Sequence, residues 1–438
     1  MARVIWIGYT TLYRDGGAQF VRVAKTLAKQ AAAQFPDAEV RCVAVETKRE
    51  FKASLGAIAA GQLAQLHFVG HSGMYGIMFG TVALPEQLSP HEWRELSLPF
   101  APDGEAFFHC CRSARWFAPF FARSFNVPTS GYHWYTTISA RPDRYVASPE
   151  HSQADAYLIG MIGKKSHGYV GSVMKRVGLA PAEPLKRFTP AELDGDPSYD
   201  GVAELYDAAY PDISVRAPEV AWIDAHLPAP AAGQNGTLRM LDIGCGNGAL
   251  LNRMAPRLSR GVGVDASNGM LAMARKRNAS HPNVAFHRVT GPTLPVEDAS
   301  MDVVTSLLSF RYLDWDPLMN EIKRVLVPGG KLLIVDMVAA PLEPRDLPAF
   351  ALSKQQQLKH RTVNRRFANA LDALVRDPRW QTMLKYNPIR AQHEYVWYLE
   401  SRFPGRKVET LDVAYHARTL AFDSGPLLPG MIAPQTYP

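Results

Sequence analysis

The sequence predicts an α/β protein built from two domains. Its 438 residues exceed the usual size of one domain, which is about 100 to 200 residues. Two separate stretches alternate strand-like apolar runs with helical periodicity, and this alternation is typical of parallel sheets covered by helices. Between them, residues 166–195 are rich in glycine and proline without sustained periodicity, so we predict a linker there.

The first domain is predicted to span residues 1–165. Its strand-like runs lie at residues 3–8, 38–46, 64–70, 107–111 and 131–139, and its helical runs at residues 18–35, 50–60 and 114–125. This order indicates a parallel sheet with helices on both faces.

The second domain is predicted to span residues 196–438. Its strands are expected at residues 239–243, 261–265, 284–289, 301–306 and 331–337, followed by β-rich runs at residues 408–415 and 418–422. A long basic and helical segment, residues 344–403, interrupts this series. It is longer than a strand-to-strand connection requires, which favours an insertion with a function of its own.

Charge and cysteine content narrow the function classes. The net charge is +7 and no run of five like charges occurs, so we expect no nucleic-acid partner. Four cysteines in a chain of this length are typical of a reducing compartment. We also find neither a signal-peptide apolar region nor the ~18 apolar residues of a membrane span. The sequence therefore predicts a cytoplasmic protein without a membrane partner.

A glycine-rich turn in the second domain carries the main chemical signal. Residues 241–248 read Leu-Asp-Ile-Gly-Cys-Gly-Asn-Gly and join a strand to a helix. Such a turn lets the backbone approach a ligand closely and directs helix N–H groups toward it. Asp265 ends the next strand, 17 residues beyond Gly248, where a carboxylate can accept hydrogen bonds from ribose hydroxyls.

These residues resemble the class I S-adenosylmethionine-dependent methyltransferases that act on small molecules. The resemblance covers roughly residues 199–337 and includes Leu294-Pro295 and the run Val327-Pro328-Gly329-Gly330. It implies a Rossmann-like fold, a mostly parallel sheet and S-adenosyl-L-methionine as cofactor. The cofactor residues that it implies are Tyr206, Asp242, Gly244, Gly246, Gly248, Asp265, Ala266, Met270, Thr290 and Gly291.

The resemblance assigns roles within that set. Asp242 and the turn glycines face the methionine end of the cofactor, with Tyr206 near its carboxylate. Asp265 faces the ribose, and Ala266 and Met270 face the adenine.

One position departs from the family pattern. Where the family usually has an acid near the adenine amino group, this chain has Thr290 and Gly291. A threonine hydroxyl can accept a hydrogen bond but carries no charge. Two other interpretations stay open at this point: a dinucleotide enzyme, because Gly244, Gly246 and Ala249 also fit the looser Rossmann pattern, and a domain that keeps the fold without the cofactor.

The acceptor site is expected at the end of the fourth strand and under the inserted helices. Arg311 and Tyr312 follow that strand and are candidates for substrate contact. We predict that residues 344–403 form a lid. Arg365 and Arg366 would favour a small-molecule acceptor carrying negative charge, and Trp397 and Tyr398 would line an apolar pocket. No metal site is predicted.

The first domain has reactive residues after two of its strands. His71 follows residues 64–70, and Cys111 ends residues 107–111, 40 residues later. Parallel strands end at one sheet edge, so the two side chains could lie within reach and form a catalytic dyad.

This arrangement resembles the caspase-like cysteine peptidase clan, including the bacterial CHAT group, over residues 1–140. Cys111-Arg112 matches part of the caspase pattern Gln-Ala-Cys-Arg-Gly, and the spacing is close to the ~50 residues of caspases. His109, Cys110 and Ser113 depart from that pattern, which leaves open which cysteine would react. The alternative fold is a flavodoxin-like module with a buried cysteine pair.

Four functions follow from these observations. The first is a methyltransferase acting on a small molecule, with a caspase-like N-terminal domain. The others are a cysteine peptidase with an attached cofactor-binding domain, a non-catalytic recruitment module fused to the methyltransferase, and a cofactor-dependent cyclisation in place of methyl transfer.

Overall fold

The computed structural model describes residues 3–133, 135–139, 157–161, 182–183, 185–190, 198–228, 236–340, 342–387 and 389–427. The chain divides into two units between residues 194 and 195. We call them the N-terminal and the C-terminal unit.

The N-terminal unit contains twelve described strands. They are β1 (Val4–Tyr9), β2 (Glu39–Ala44), β3 (Leu63–Val69), β4 (Ser72–Gly73), β5 (Gly76–Gly80), β6 (Pro85–Gln87), β7 (Phe100–His109), β8 (Thr129–Gly131), β9 (Tyr135–Ser139), β10 (Tyr157–Met161), β11 (Ala182–Glu183) and β12 (Lys186–Phe188). Six of them form the main sheet in the order β12-β8-β7-β3-β1-β2, which is parallel except for β12. The predicted parallel sheet of this unit is confirmed.

Helices cover both faces of this sheet. The described helices are α1 (Gly17–Gln34), α2 (Lys48–Gly56), α3 (Pro90–Arg94) and α4 (Phe117–Phe125). Successive residues of a strand point to opposite faces. Accordingly, Ile5 and Ile7 of β1 pack with Phe20 of α1, whereas Val4 and Trp6 pack in a second core with residues of α2 and α4. This two-sided burial explains why β1 is apolar almost throughout.

The segment that we predicted as a linker contains structure. Strands β11 and β12 lie within residues 166–195 and belong to the N-terminal unit. Strand β12 pairs antiparallel with β8, with Arg187 opposite Ser130. It is a short edge strand carrying Lys186 and Arg187, and charged residues are common on such edges. Because two of its three residues are charged, this strand cannot be recognised from an apolar pattern in the sequence.

The C-terminal unit contains a seven-stranded sheet. Its strands are β13 (Leu238–Ile243), β14 (Leu258–Asp265), β15 (Val284–Arg288), β16 (Met301–Leu307), β17 (Leu326–Ala339), β18 (Glu409–Val413) and β19 (Ala417–Asp423). The order is β15-β14-β13-β16-β17-β19-β18, parallel from β15 to β17, with β19 antiparallel to its neighbours. The mostly parallel sheet predicted from the sequence is confirmed.

Nine described α-helices accompany this sheet. They are α5 (Ala203–Ala209), α6 (Ala217–His226), α7 (Ala249–Met254), α8 (Asn268–Arg277), α9 (Trp315–Val325), α10 (Leu347–Val363), α11 (Arg365–Arg376), α12 (Pro378–Tyr386) and α13 (Gln392–Arg402). The last four fill the segment between β17 and β18. None of the described helices is long and apolar enough to cross a membrane.

The order of the strands determines where a ligand can bind. Strand β13 is an inner strand of the sheet, with β14 on one side and β16 on the other. In open parallel sheets, ligands bind beyond the carboxyl ends of the strands at such a reversal of strand order. The glycine turn after β13 and Asp265 at the end of β14 both lie at this point.

Candidate active site

The turn between β13 and α7 adopts a backbone conformation that requires glycine. The φ angles of Gly244, Gly246 and Gly248 are 71°, 53° and 71°, in the left-handed region that other residues rarely adopt. A Cβ atom at Gly246 would meet no atom within 4 Å, so this glycine faces open space. At Gly248, a Cβ atom would lie 2.8 Å from the Asn278 amide nitrogen. Gly246 therefore leaves room for a ligand, whereas Gly248 allows close packing against α8.

Asp265 is bonded to this turn. One carboxylate oxygen accepts the backbone N–H of Gly246 at 2.9 Å, and the other accepts the backbone N–H of Ser267 at 2.9 Å. Burial raises the pKa of Asp265, and the N–H groups of Ser267 and Gly246 oppose that increase. The side chain is therefore held in one orientation at the edge of the cleft described next.

A cleft of about 300 Å³ lies beyond the ends of β13, β14 and β16. Nine of the predicted site residues line it: Tyr206, Gly244, Gly246, Asp265, Ala266, Met270, Thr290, Gly291 and Tyr312. Thr290 and Gly291 occupy the wall where the family pattern would place an acid. The structure thus brings together residues from five separate segments of the chain.

A smaller cavity of about 40 Å³ lies beside the glycine turn, and Asp242 lines it. Asp242 is buried and accepts a hydrogen bond from the Thr305 hydroxyl at 2.8 Å. Burial raises the pKa of Asp242 to about 7, although the Thr305 hydrogen bond opposes this increase. Tyr206, Gly244 and Gly246 line both spaces.

Arg216 also lines the smaller cavity, and sequence reasoning did not identify it. Its guanidinium lies 4.4 Å from the ring centroid of Tyr210 and 3.8 Å from the Glu219 carboxylate. The residue ends a short 3-10 turn, Ile213–Arg216. Such a turn has no periodicity that a sequence could reveal, so only the structure places this cation near the turn.

Tyr312 meets a second tyrosine on the wall of the cleft. The Tyr199 hydroxyl donates to the Tyr312 hydroxyl at 3.3 Å, and both residues line the cleft. Trp380 of α12 lies 6.0 Å from the Tyr199 ring and 6.4 Å from the Tyr206 ring, measured between ring centroids. Sequence reasoning did not propose Tyr199 or Trp380 as site residues.

Arg311 does not line the cleft. It is buried, its guanidinium forms an ion pair with Asp336 of β17, and its backbone N–H donates to the same carboxylate at 2.7 Å. The Tyr395 hydroxyl also donates to Asp336. The expected direct contact between Arg311 and a substrate is therefore replaced by a structural ion pair behind the wall of the cleft.

The other four predicted substrate residues lie outside the set that lines the cleft. Arg365 and Arg366 begin α11 and are exposed. Tyr398 is buried, with its ring 4.5 Å from the Trp315 ring, and Trp397 packs against the same core. An aromatic cluster on a helix fits a protein core as well as a pocket, and here it joins α13 to α9.

His71 and Cys111 follow adjacent strands of the N-terminal unit. Strand β3 pairs with β7, with Val69 opposite His109, so the two residues leave the sheet at neighbouring positions. The His71 Nε2 atom lies 2.9 Å from the Asp15 carbonyl oxygen. The Cys111 thiol lies 3.2 Å from the Thr136 backbone nitrogen, which donates to it. Among the described hydrogen bonds, none joins the His71 ring to the Cys111 thiol.

Cys110 differs from its neighbour Cys111 in burial. Its side chain is fully buried, and burial raises the pKa of its thiol to about 12. A thiol reacts as its thiolate, so a thiol with this pKa is inert near neutral pH. Cys111 is partly exposed. Of the two cysteines, Cys111 is the one that a solvent-borne reagent can reach.

A family match lies within the C-terminal unit. Residues 241–334 match the family described as Methyltransferase domain. A demethylmenaquinone methyltransferase from Thermobifida fusca is 31% identical over 164 residues, which cover 36% of this chain and 68% of that protein. A demethylmenaquinone methyltransferase from Clavibacter sepedonicus is 31% identical over 147 residues, which cover 33% of this chain and 58% of that protein.

Coverage of these relatives is partial. The chain spans 58%, 49% and 62% of the length of the first three curated relatives that it matches. Among solved structures, a SAM-dependent methyltransferase from Aquifex aeolicus aligns with 16% identity and a TM-score of 0.34, over 52% of this chain and 99% of that one.

Proposed function

Because the chain belongs to the family of the methyltransferase domain, we propose that it transfers a methyl group from S-adenosyl-L-methionine to a small-molecule acceptor. The observation that carries the proposal is the pairing of Gly246 with Asp265. A glycine whose missing side chain leaves open space lies beside a carboxylate fixed at the end of the next strand. At one edge of the cleft, a ligand can therefore approach the backbone of Gly246 closely, and its hydroxyl groups can donate hydrogen bonds to Asp265.

The residues present fit this cofactor at each of its parts. Asp265 would accept the ribose hydroxyls, and Ala266, Met270 and Thr290 would surround the adenine. At the methionine end, Asp242 and Arg216 line one small cavity. Arg216 suits a carboxylate, and a bound ammonium would favour the ionised form of Asp242. The cofactor supplies an activated methyl carbon on a sulfonium, so the protein mainly has to align the acceptor and exclude water.

We propose that the inserted helices α10–α13 cover the acceptor side. Two contacts support this role: Asn387, just after α12, lines the cleft, and Trp380 of α12 packs on Tyr199 and Tyr206. The exposed positions of Arg365 and Arg366 do not support the direct anion contact that the sequence suggested. Arg311 is buried and directly precedes Tyr312, which lines the cleft.

Calorimetry with the whole protein tests the proposed function. We expect S-adenosylhomocysteine, the product form of the cofactor, to bind one site per chain, and NAD to show no binding. NAD is included because Gly244, Gly246 and Ala249 also match the pattern of dinucleotide-binding enzymes. Binding of NAD without binding of S-adenosylhomocysteine would overturn the proposal.

A thiol peptidase in the N-terminal unit is a second candidate function, in line with the caspase-like resemblance. One observation favours it. A carbonyl oxygen only accepts hydrogen bonds, so His71 must carry its proton on Nε2, facing Asp15. The unprotonated Nδ1 is then available as a base. Burial lowers the pKa of His71, which also keeps the ring neutral at pH 7.

Alkylation by iodoacetamide tests this second candidate. We expect Cys111 to be the labelled cysteine and His71→Ala to slow its labelling. Peptide mapping locates the label, because Cys42 is also partly exposed, and Cys111→Ser shows how much labelling occurs elsewhere. Labelling of Cys110, or an unchanged rate at Cys111 in His71→Ala, would remove the dyad and favour a recruitment role for this unit.

A further inference from the structure

The acceptor side of the cleft carries a pair of phenol hydroxyls. Tyr199 donates its proton to the Tyr312 oxygen at 3.3 Å. A phenol has only one proton to donate. The Tyr199 hydroxyl hydrogen is therefore engaged with Tyr312, whereas the Tyr312 hydroxyl hydrogen can be donated to another acceptor. Because Tyr312 lines the cleft, that partner is a group bound there.

A buried cation lies behind this pair. The Arg311 guanidinium is 4.5 Å from the ring centroid of Tyr312, and Arg311 acts to lower the pKa of Tyr199. Burial has the larger effect and raises the pKa of Tyr199, so its hydroxyl stays protonated near neutral pH. A hydroxyl that accepts one hydrogen bond donates a stronger one. The pair is thus a donor site for an oxygen that carries negative charge.

The described lining of the cleft offers few groups that could remove a proton. It contains no lysine, arginine or histidine side chain. Of its two carboxylates, Asp265 is occupied by the N–H groups of Gly246 and Ser267. The other, Asp314, is partly buried and directly precedes α9. An acceptor that ionises readily by itself suits such a site better than one that needs a strong base.

We infer that the acceptor is a phenol or enol, which binds as its anion with the charged oxygen accepting a hydrogen bond from Tyr312. The inference rests on the proposed methyl transfer and specifies its substrate class. The acceptor's proton passes to water as the anion binds. An electron pair on the oxygen, or on the carbon conjugated with it, forms the bond to the methyl carbon. The carbon–sulfur bond breaks, its electron pair stays on sulfur, and both charges are cancelled.

The structure describes two ion pairs around Tyr312. Arg390, paired with Glu394 at 3.8 Å, donates to the carbonyl oxygens of Arg311 and Leu313, the residues on either side of Tyr312. Arg311 and its partner Asp336 lie behind Tyr312, Tyr199 donates to it, and Asp314 and Tyr206 line the same cleft. Because Asp336 balances Arg311 and Glu394 balances Arg390, the preference for an anion rests mainly on the Tyr312 hydroxyl. Replacement of that hydroxyl is therefore the decisive change.

The experiment uses 4-nitrophenol as probe, because its phenolate absorbs at longer wavelength than the phenol. The whole protein is loaded with S-adenosylhomocysteine, and the absorbance of the bound probe is followed against pH. We expect the bound probe to ionise about one pH unit or more below the free probe, since a charged hydrogen bond favours the phenolate. Tyr312→Phe should remove most of this shift, and Tyr199→Phe should reduce it.

The matched control is Tyr415→Phe, which removes a hydroxyl from an exposed ring outside the cleft lining. It should behave as the wild type. Each variant's affinity for S-adenosylhomocysteine shows that its cleft is folded. The inference is overturned if the loaded protein does not bind the probe, if the bound probe ionises as the free one does, or if Tyr312→Phe retains the wild-type shift. If the wild type does not bind S-adenosylhomocysteine, the proposed function itself fails.

Discussion

The Asp265 carboxylate accepts the backbone N–H of Gly246 across 2.9 Å, which joins the ends of two neighbouring strands into one ligand-binding edge. Strands β13 and β14 run parallel, with Ile243 opposite Val264. The acid therefore has two functions: it shapes the turn, and it presents its remaining lone pairs to the cleft.

Asp265→Ala should weaken cofactor binding about 10- to 100-fold, because charged hydrogen bonds contribute about 1.5 to 3 kcal/mol. The variant should also unfold at lower temperature, since the Gly246 and Ser267 N–H groups lose their partner. Calorimetry with S-adenosylhomocysteine and a thermal unfolding curve measure both effects. Asp298→Ala, which removes an exposed carboxylate, is the control and should change neither. Unchanged affinity in folded Asp265→Ala would contradict the assignment.

Asp242 predicts a pH dependence of stability. Its pKa is about 7 in the native state, against about 3.9 for an unperturbed aspartate. Between these values the native state holds a proton that the unfolded chain has released. Stability therefore falls as the pH rises from about 4 to about 7, by roughly 2 to 4 kcal/mol.

Asp242→Asn should remove most of this dependence. Denaturant unfolding at about pH 5 and about pH 8 measures the difference for each protein. Asp265 changes stability in the same direction, because burial raises its pKa too, so the comparison between wild type and variant isolates Asp242. Equal differences in the two proteins would show that Asp242 titrates normally.

Two glycines of the turn should differ in what they control. Gly246→Ala places a methyl group in open space, so it should reduce cofactor affinity at least about 10-fold, or about 1.4 kcal/mol. Gly248→Ala places its methyl group against Asn278 and Ala274, so it should lose more stability. Both variants share a left-handed backbone cost of about 1 to 2 kcal/mol. Wild-type affinity in Gly246→Ala would mean that the ligand does not approach this turn.

The buried ion pair behind the cleft should be important for stability. Asp336→Ala leaves the Arg311 charge without its partner and removes the acceptor of the Tyr395 hydroxyl. Breaking a buried pair in this way costs about 3 to 5 kcal/mol. The control is Glu297→Ala, which breaks an exposed pair with Arg260 and should leave the unfolding midpoint in place. Similar midpoints for both variants would contradict the prediction.

The sequence was informative where function and local structure impose the same pattern. The run from Leu241 to Gly248 combines a buried strand with a turn that needs glycine, and Asp265 ends the next strand. Both features can be recognised from the sequence, because each depends on residues that are close together in the chain. The strand order and the cleft at its reversal point follow from the parallel βα series.

Sequence reasoning failed where packing decides between alternatives. The aromatic residues Trp397 and Tyr398 fit a pocket or a core equally well in the sequence. In the structure, both pack in the core around Trp315. Arg311 could have contacted a substrate, but Asp336 lies 25 residues away in the chain and only folding brings the two together. Arg216 and Tyr199 were not predicted as site residues, because short irregular turns carry no periodic signal.

Strand β12 has a consequence for any attempt to isolate the N-terminal unit. It is an edge strand, and it pairs with β8 through Lys186, Arg187 and Phe188. A fragment that stopped at residue 165, where the sequence suggested a domain end, would uncover the backbone N–H and C=O groups of β8. Uncovered strand edges pair with other chains and cause aggregation. A fragment that continues to residue 190 keeps this edge closed, so solubility should depend on the last 25 residues.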